Sequence, residues 1–81
     1  MTIRVTFWSY FADLAGCAET SVTIPEGATV GLLLESIHRS HPALADLRRS
    51  TLIAVGVEYQ GAEHVLAEGD SVSLFPPVQG G

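Results

Sequence analysis

Apolar side chains occupy every second position at the start of the chain, where Ile3, Val5 and Phe7 alternate with other residues. A period of two is typical of a strand with one buried face. The segment 19–24 is rich in β-branched residues and predicts a second strand. Because only a short loop containing Gly16 separates the two segments, we expect them to form a hairpin.

The middle of the chain has helical spacing instead. Apolar residues lie at positions i, i+3, i+4 and i+7 and form one stripe, which consists of Val30, Leu33, Leu34 and Ile37. Thr29 precedes the stripe and is a favourable N-cap residue. We expect the helix to end near His41, because Pro42 disfavours helical geometry in the residue before it. A short helical turn from this proline through Leu47 is also predicted.

Two further strands are predicted in the last third of the chain. The apolar run 52–57 is rich in β-branched residues, and the segment 71–75 alternates between faces. Pro76 and Pro77 must end the last strand, since neither has an N–H to donate to a ladder. The order strand, strand, helix, strand, strand predicts an α+β fold, the ubiquitin-like β-grasp. In it a mixed sheet is covered on one face by one main helix, and the first and last strands are parallel neighbours.

Composition narrows the possible functions. The chain has 81 residues, enough for one domain, and 47% of them are hydrophobic, which indicates a compact globule. Nine acidic against four basic residues argue against a nucleic-acid partner, which requires a basic face. No apolar run has the length of a signal peptide or of a membrane-spanning helix. The lone cysteine, Cys17, fits a reducing compartment, so we expect a cytoplasmic protein with no membrane partner.

The end of the chain has the features of a reactive tail. We expect residues 1–75 to form the domain and 76–81 a flexible tail, which spans roughly 20 Å when extended. Gly80 and Gly81 lack a Cβ, so the terminal carboxylate could pass through a narrow channel into another protein. ATP can convert a carboxylate to an acyl-adenylate, which a sulfur nucleophile converts to a thiocarboxylate. The alternative is a frayed terminus without chemistry.

This tail carries the most specific sequence match. Residues 74–81, Leu-Phe-Pro-Pro-Val-Gln-Gly-Gly, resemble the Phe-Pro-Pro-Val-x-Gly-Gly ending of the MoaD-like sulfur carriers, the small subunits of molybdopterin synthase. Shorter matches lie at 3–7, 14–16, 54–55 and 68–72. Two positions depart from the family pattern. Ala12 stands where arginine is frequent, and Gly56 stands where asparagine is frequent, which leaves the details of partner contact open.

The resemblance implies a carrier mechanism centred on Gly81, with Gly80 beside it. An E1-like enzyme would adenylate Gly81 using ATP and Mg²⁺, and a sulfur donor enzyme would supply sulfur for the thiocarboxylate. The tail would then enter the large subunit of molybdopterin synthase, which converts a cyclic pyranopterin precursor to the dithiolene within a heterotetramer. The chain itself would bind no cofactor or metal and would have no complete active site.

Three alternatives to this function stay open. The first is a sulfur carrier for another pathway, such as thiamine, cysteine or tRNA thiolation. The second is a ubiquitin-like protein modifier, although the chain has no lysine side chain to which further copies could be joined. The third is an interaction module with an inert tail, which predicts full function without Gly81.

Aromatic residues are predicted on the outer face of the sheet, away from the helix. If Val72 and Leu74 face the helix, Phe75 faces outward, and the same alternation turns Trp8 outward on the neighbouring first strand. Exposed aromatic side chains beside a tail favour a docking surface. We therefore predict a partner interface formed by Trp8, Tyr59, Phe75, Pro76, Pro77 and Val78. The alternative is that Trp8 packs beneath a loop as an extension of the core.

Several residues with reactive side chains do not form a recognisable site in the sequence. Cys17 has no nearby base in sequence to activate its thiol. His38 and His41 lack a third ligand at metal-binding spacing, and we interpret them as exposed helix residues. The arginines of the second half could meet acidic residues of a partner, but a solvated face is the simpler interpretation.

Overall fold

A computed structural model of the chain describes residues 1–77. It contains five strands, β1 (Thr2–Phe7), β2 (Glu19–Thr23), β3 (Leu52–Val55), β4 (Glu58–Tyr59) and β5 (Ser71–Phe75). It also contains two α-helices, α1 (Tyr10–Ala15) and α2 (Val30–Ser40), and the 3₁₀ helix Pro42–Ser50. Within this part of the chain no helix combines the length and apolar character needed to cross a membrane.

The strands form one mixed sheet in the order β2-β1-β5-β3-β4. β1 and β5 are parallel, with Val5 opposite Val72, and the other three neighbouring pairs are antiparallel. The β-grasp arrangement predicted from the order of elements is therefore confirmed. Its central strand is β5, so the chain leaves the middle of the sheet when that strand ends at Phe75.

Helix α2 covers one face of this sheet, and the core lies between them. The predicted N-cap is confirmed, because the Thr29 hydroxyl accepts a hydrogen bond from the Leu32 N–H at 3.3 Å. All four residues of the apolar stripe are buried. They belong to a core that also includes the alternating residues of the parallel strands, namely Ile3, Val5, Phe7, Val72 and Leu74. The sheet consequently has an inner face toward α2 and an outer face toward solvent.

Two neighbouring leucines of α2 provide a matched test of this packing. Leu33 is 0% exposed and Leu32 is 38% exposed. We expect Leu33→Ala to lower the free energy of unfolding by about 3 kcal/mol, since it deletes fully buried methyl groups and leaves a cavity. Leu32→Ala should cost less than about 1 kcal/mol. Urea unfolding measures both, and equal losses in the two variants would contradict the assigned orientation of the helix.

The segment between β1 and β2 differs from the predicted loop. It contains the short helix α1, which buries Phe11 against the core. Gly16 ends this helix with a φ of 79°, and its N–H donates to the Ala12 carbonyl at 3.0 Å. A glycine in the left-handed region is a common helix stop, so the loop prediction was wrong in this segment.

The third strand is shorter than predicted. β3 ends at Val55, and the chain then turns at Gly56 and Val57 into β4, an edge strand of 2 residues that the sequence pattern did not reveal. Gly56 has a φ of 62°, and its N–H donates to the Ser71 carbonyl at 2.8 Å. Glycine adopts a positive φ readily, and asparagine tolerates it better than most other residues. Either residue at position 56 is therefore compatible with this turn.

The helical turn after α2 is longer than predicted. It runs as a 3₁₀ helix to Ser50, beyond the predicted end at Leu47, and buries Leu44. The hydroxyl of Thr51 donates to the Leu47 carbonyl at 2.7 Å and so holds the C-terminal end of this segment.

Candidate functional site

The chain leaves the sheet beside the end of β1. Trp8 directly follows β1, and its backbone N–H donates to the Leu74 carbonyl at 3.0 Å, which continues the parallel ladder by one residue. On the other side of β5, Leu52 lies opposite Phe75. The end of β5, from which the tail departs, is therefore held between two strands.

Three aromatic side chains, Trp8, Phe75 and Tyr59, meet at this exit point and form what we call the aromatic patch. The Trp8 and Phe75 rings are stacked, with centroids 5.6 Å apart and an angle of 12° between their planes. The Tyr59 ring meets Phe75 edge to face, with centroids 6.5 Å apart. Both distances lie in the range of favourable aromatic pairs.

The aromatic patch is open to solvent. Trp8 is 48% exposed and Tyr59 is 70% exposed, while Phe75 between them is half-buried. The predicted outward orientation of Trp8 and its proximity to Phe75 are confirmed, and packing of Trp8 beneath a loop is ruled out by its exposure. Whether these residues contact a partner stays a prediction.

The backbone takes an unusual conformation directly after Trp8. The next residue, Ser9, has φ 56° and ψ −140°, and it is the one non-glycine residue of the part described, 1–77, with a positive φ. Such a conformation is unfavourable for a residue with a Cβ and persists only where the surroundings enforce it. Here it turns the chain from β1 into α1, where the Phe11 N–H donates to the Trp8 carbonyl at 3.1 Å. The sequence has no feature that would have predicted this.

On the outer face, short side chains border Tyr59 and the middle of β5, and the larger Leu52 lies opposite Phe75. Ala54 lies opposite both Ser73 and Tyr59 in the sheet register, and Thr6 lies opposite Ser73. The aromatic rings and Leu52 are thus the large apolar side chains on this part of the face. A partner could therefore approach closely and bury them.

The other predicted site residues belong to the tail that follows β5. Pro76 and Pro77 directly follow the aromatic patch and are half-buried. Val78, Gly80 and Gly81 lie outside the described residues. The aromatic patch itself offers ring faces and no carboxylate or amine, so it is suited to binding and orienting a partner.

The histidines of α2 and its C-cap are not the exposed residues that the sequence suggested. Both His38 and His41 are half-buried. The His41 ring packs edge to face on Phe7, with centroids 5.5 Å apart, and so extends the core. Burial, and secondarily the positive charge of Arg48, lowers the pKa of His38 below its ordinary value of 6.5.

The lowered pKa of His38 predicts a pH dependence with a defined sign. As the pH falls below about 6.5, the unfolded chain takes up this proton before the folded chain does. The stability contributed by neutral His38 is thus present above that pH and is lost as the pH falls through the lowered folded-state pKa. Arg48→Gln should raise the pKa of His38 but leave it below 6.5, because burial remains. An NMR titration of the His38 ring measures this shift.

The neighbouring arginine supplies the control for that titration. Arg49→Gln removes the same charge one residue away, and Arg49 is not a cause of the shift in His38. It should leave the titration curve unchanged. Equal curves for wild type and Arg48→Gln would contradict the assigned role of Arg48.

The chain is similar to known proteins in both sequence and structure. The model of the ThiS family matches residues 6–81. The molybdopterin synthase sulfur carrier subunit of Chlamydomonas reinhardtii is 31% identical over 83 residues, which cover 100% of both chains. The structure of the small archaeal modifier protein SAMP1 of Haloferax volcanii superposes with a TM-score of 0.89, at 27% identity and 100% coverage of both chains.

A further similar structure is a chain of the BexX/CysO complex of Amycolatopsis orientalis. It has a TM-score of 0.72 and 26% identity over 98% of this chain and 99% of that chain. The matches extend over nearly the whole length of each protein, so the similarity covers the domain as a whole.

Proposed function

Because the chain belongs to the ThiS family, we propose that it is a sulfur carrier that donates sulfur from a thiocarboxylate on Gly81. The observation that carries this proposal is the position of the Phe-Pro-Pro-Val-Gln-Gly-Gly ending. It begins at the end of the central strand, beside an exposed aromatic surface. The paired end of β5 fixes the point from which the tail departs, and the tail has the length and the small end residues needed to reach into a partner.

The proposed loading of sulfur onto the Gly81 carboxylate takes two balanced steps. An E1-like enzyme joins the carboxylate to ATP with release of pyrophosphate, which gives an acyl-adenylate. A sulfur donor, written here as hydrosulfide, then attacks the carbonyl carbon and AMP leaves with the bonding electron pair. When the sulfur is passed on, it bonds to a carbon of the acceptor and displaces a leaving group there, which gives a thioester. Water then attacks the thioester carbonyl, the acyl C–S bond breaks with the sulfur kept by the acceptor, and the carboxylate is restored. In this proposal the chain supplies the carboxylate, and the activating enzyme supplies the groups that activate it.

We further propose that the carrier acts as the small subunit of molybdopterin synthase. The full-length similarity to a molybdopterin synthase sulfur carrier subunit supports this assignment. The large subunit would cover the aromatic patch and receive the tail, in the heterotetramer implied by the resemblance. The occurrence of CysO within a complex supports a partner-bound mode of action.

A protein modifier is the second candidate function. It is favoured by the structural similarity to SAMP1, which is a modifier protein by name. The two functions differ in what becomes of the activated carbonyl. A modifier joins its terminal glycine to a lysine of another protein, whereas a carrier loses sulfur and regains its carboxylate.

The test begins with the protein already carrying a Gly81 thiocarboxylate, so that it does not depend on the activating enzyme. The large synthase subunit and the cyclic pyranopterin precursor are added. We expect the dithiolene product to form while the carrier returns to the carboxylate. A thiocarboxylate that stays intact, in a mixture where a known small subunit reacts, would exclude the molybdopterin pathway and leave another sulfur pathway or modification.

A further inference from the structure

A concave surface lies at the C-terminal end of α2, where the 3₁₀ helix packs against it. Its volume is about 460 Å³, and it is lined by Glu35, His38, Arg39 and Arg48, which we call the arginine pocket. Three of its residues belong to α2 and Arg48 belongs to the 3₁₀ helix. Because α2 covers the inner face of the sheet, this pocket lies on the helix side of the domain, and the aromatic patch lies on the sheet side.

The two guanidinium groups of the arginine pocket have no ionic partner among residues 1–77. The one ion pair of this part of the chain joins Arg4 and Glu19, on the outer face of the sheet. Glu35 and Arg39 have the i, i+4 spacing that permits a helical ion pair, yet no such pair forms. Arg39 and Arg48 are both exposed. Their donors are therefore available to a group that comes from outside.

The net charge of the arginine pocket indicates which anion it suits. Its two guanidinium groups and one carboxylate sum to a single positive charge when His38 is neutral, as it is at pH 7. A monovalent carboxylate balances this charge. A phosphate dianion would overcompensate this charge, and Glu35 would repel it about twice as strongly as it repels a carboxylate. Guanidinium groups also match the planar geometry of a carboxylate.

We propose that the arginine pocket binds a carboxylate side chain, Asp or Glu, on an acidic segment of a partner protein. The guanidinium groups of Arg39 and Arg48 bind the carboxylate oxygens from two different elements, which fixes where the partner lies. The overall charge of −5 makes the pocket a local exception on an acidic molecule. The domain as a whole therefore repels an acidic partner. Only a segment whose carboxylate reaches this pocket is bound, so the pocket fixes where that segment lies.

The test titrates the ¹⁵N-labelled full chain with a capped peptide of four glutamates and follows backbone and arginine side-chain signals by NMR. We expect saturable shifts at Glu35, His38, Arg39 and Arg48. The double variant Arg39→Gln/Arg48→Gln should bind about tenfold more weakly, as expected for the loss of two exposed charge pairs. The control, Arg4→Gln/Arg49→Gln, has the same net charge and should keep the wild-type affinity.

Each outcome decides the proposal, because all four arginines are exposed and their replacement leaves the core intact. Equal weakening in both double variants would mean non-specific charge attraction and would overturn it. Inorganic phosphate that binds the same residues more tightly, at matched ionic strength, would overturn the choice of a carboxylate. Shifts that do not saturate, or that centre on the aromatic patch, would overturn the assignment of the pocket.

Discussion

A chain that ends at Gly80 is expected to lose at least about 99% of its rate of sulfur acceptance, since a 1 Å misplacement of a reacting group costs about 10²-fold. Removing Gly81 shortens the tail by roughly 3.3 Å, although the new terminal residue is again a glycine. In an activating enzyme that binds the folded domain of this chain, the position of the domain sets how far the tail reaches. The carboxylate of the shortened tail would then lie too far from the ATP phosphate. Adenylation precedes sulfur acceptance and releases pyrophosphate. The rate of pyrophosphate release with the E1-like enzyme therefore measures the loss at its first step.

Gln79→Ala is the matched control for this deletion. It changes a tail residue but keeps the length and both glycines. Position 79 is also the variable position of the ending that the chain shares with the MoaD-like carriers. This variant should accept sulfur at nearly the wild-type rate. A chain ending at Gly80 that reacts as fast as Gln79→Ala would contradict the proposal that the terminal carboxylate must lie at residue 81.

Trp8→Ala is expected to weaken binding to the large synthase subunit by about 30-fold or more, the effect typical of a tryptophan at the centre of an interface. The indole is both exposed and stacked on Phe75, so a partner can bury it without first rearranging it. The variant should also lose about 1 kcal/mol of stability, because the aromatic stack disappears. Calorimetric titration gives the affinity, and urea unfolding gives the stability.

The control for Trp8 is Val57→Ala. Val57 is an apolar side chain that is 98% exposed, and it lies in the β3–β4 turn, near Ser71 and at the opposite end of the sheet from Phe75. This variant should bind the large subunit with wild-type affinity. If both variants bind as wild type does, the large subunit does not use the aromatic patch. If Trp8→Phe restores most of the affinity, the stacked ring is the feature that the partner recognises.

The elements that the sequence predicted correctly are those with regularly spaced apolar residues and a recognisable residue at the start or end. The apolar stripe of α2, its cap at Thr29 and the alternation in β1 and β5 each depend on local spacing, and each is observed. The aromatic patch was predicted for the same reason. Alternation fixes which way Trp8 and Phe75 point, and the fold places their strands side by side.

The parts that the sequence did not predict depend on tertiary contacts. α1 has only 6 residues, too few for a helical period to be recognised, and is held by the burial of Phe11 and the turn at Gly16. β4 has 2 residues and exists because β3 offers it an edge. The arginine pocket joins residues of two separate elements, so no local pattern could have revealed it.

The most direct test of the central claim is an intact mass measurement. The purified chain is incubated with ATP, Mg²⁺, an E1-like activating enzyme and a sulfide source, beside the variant that lacks Gly81. The account predicts a mass gain equal to one oxygen replaced by sulfur, located at the C-terminus and absent from the shortened chain. An unchanged mass, with the same enzyme converting a known carrier, would contradict the proposal that Gly81 carries sulfur.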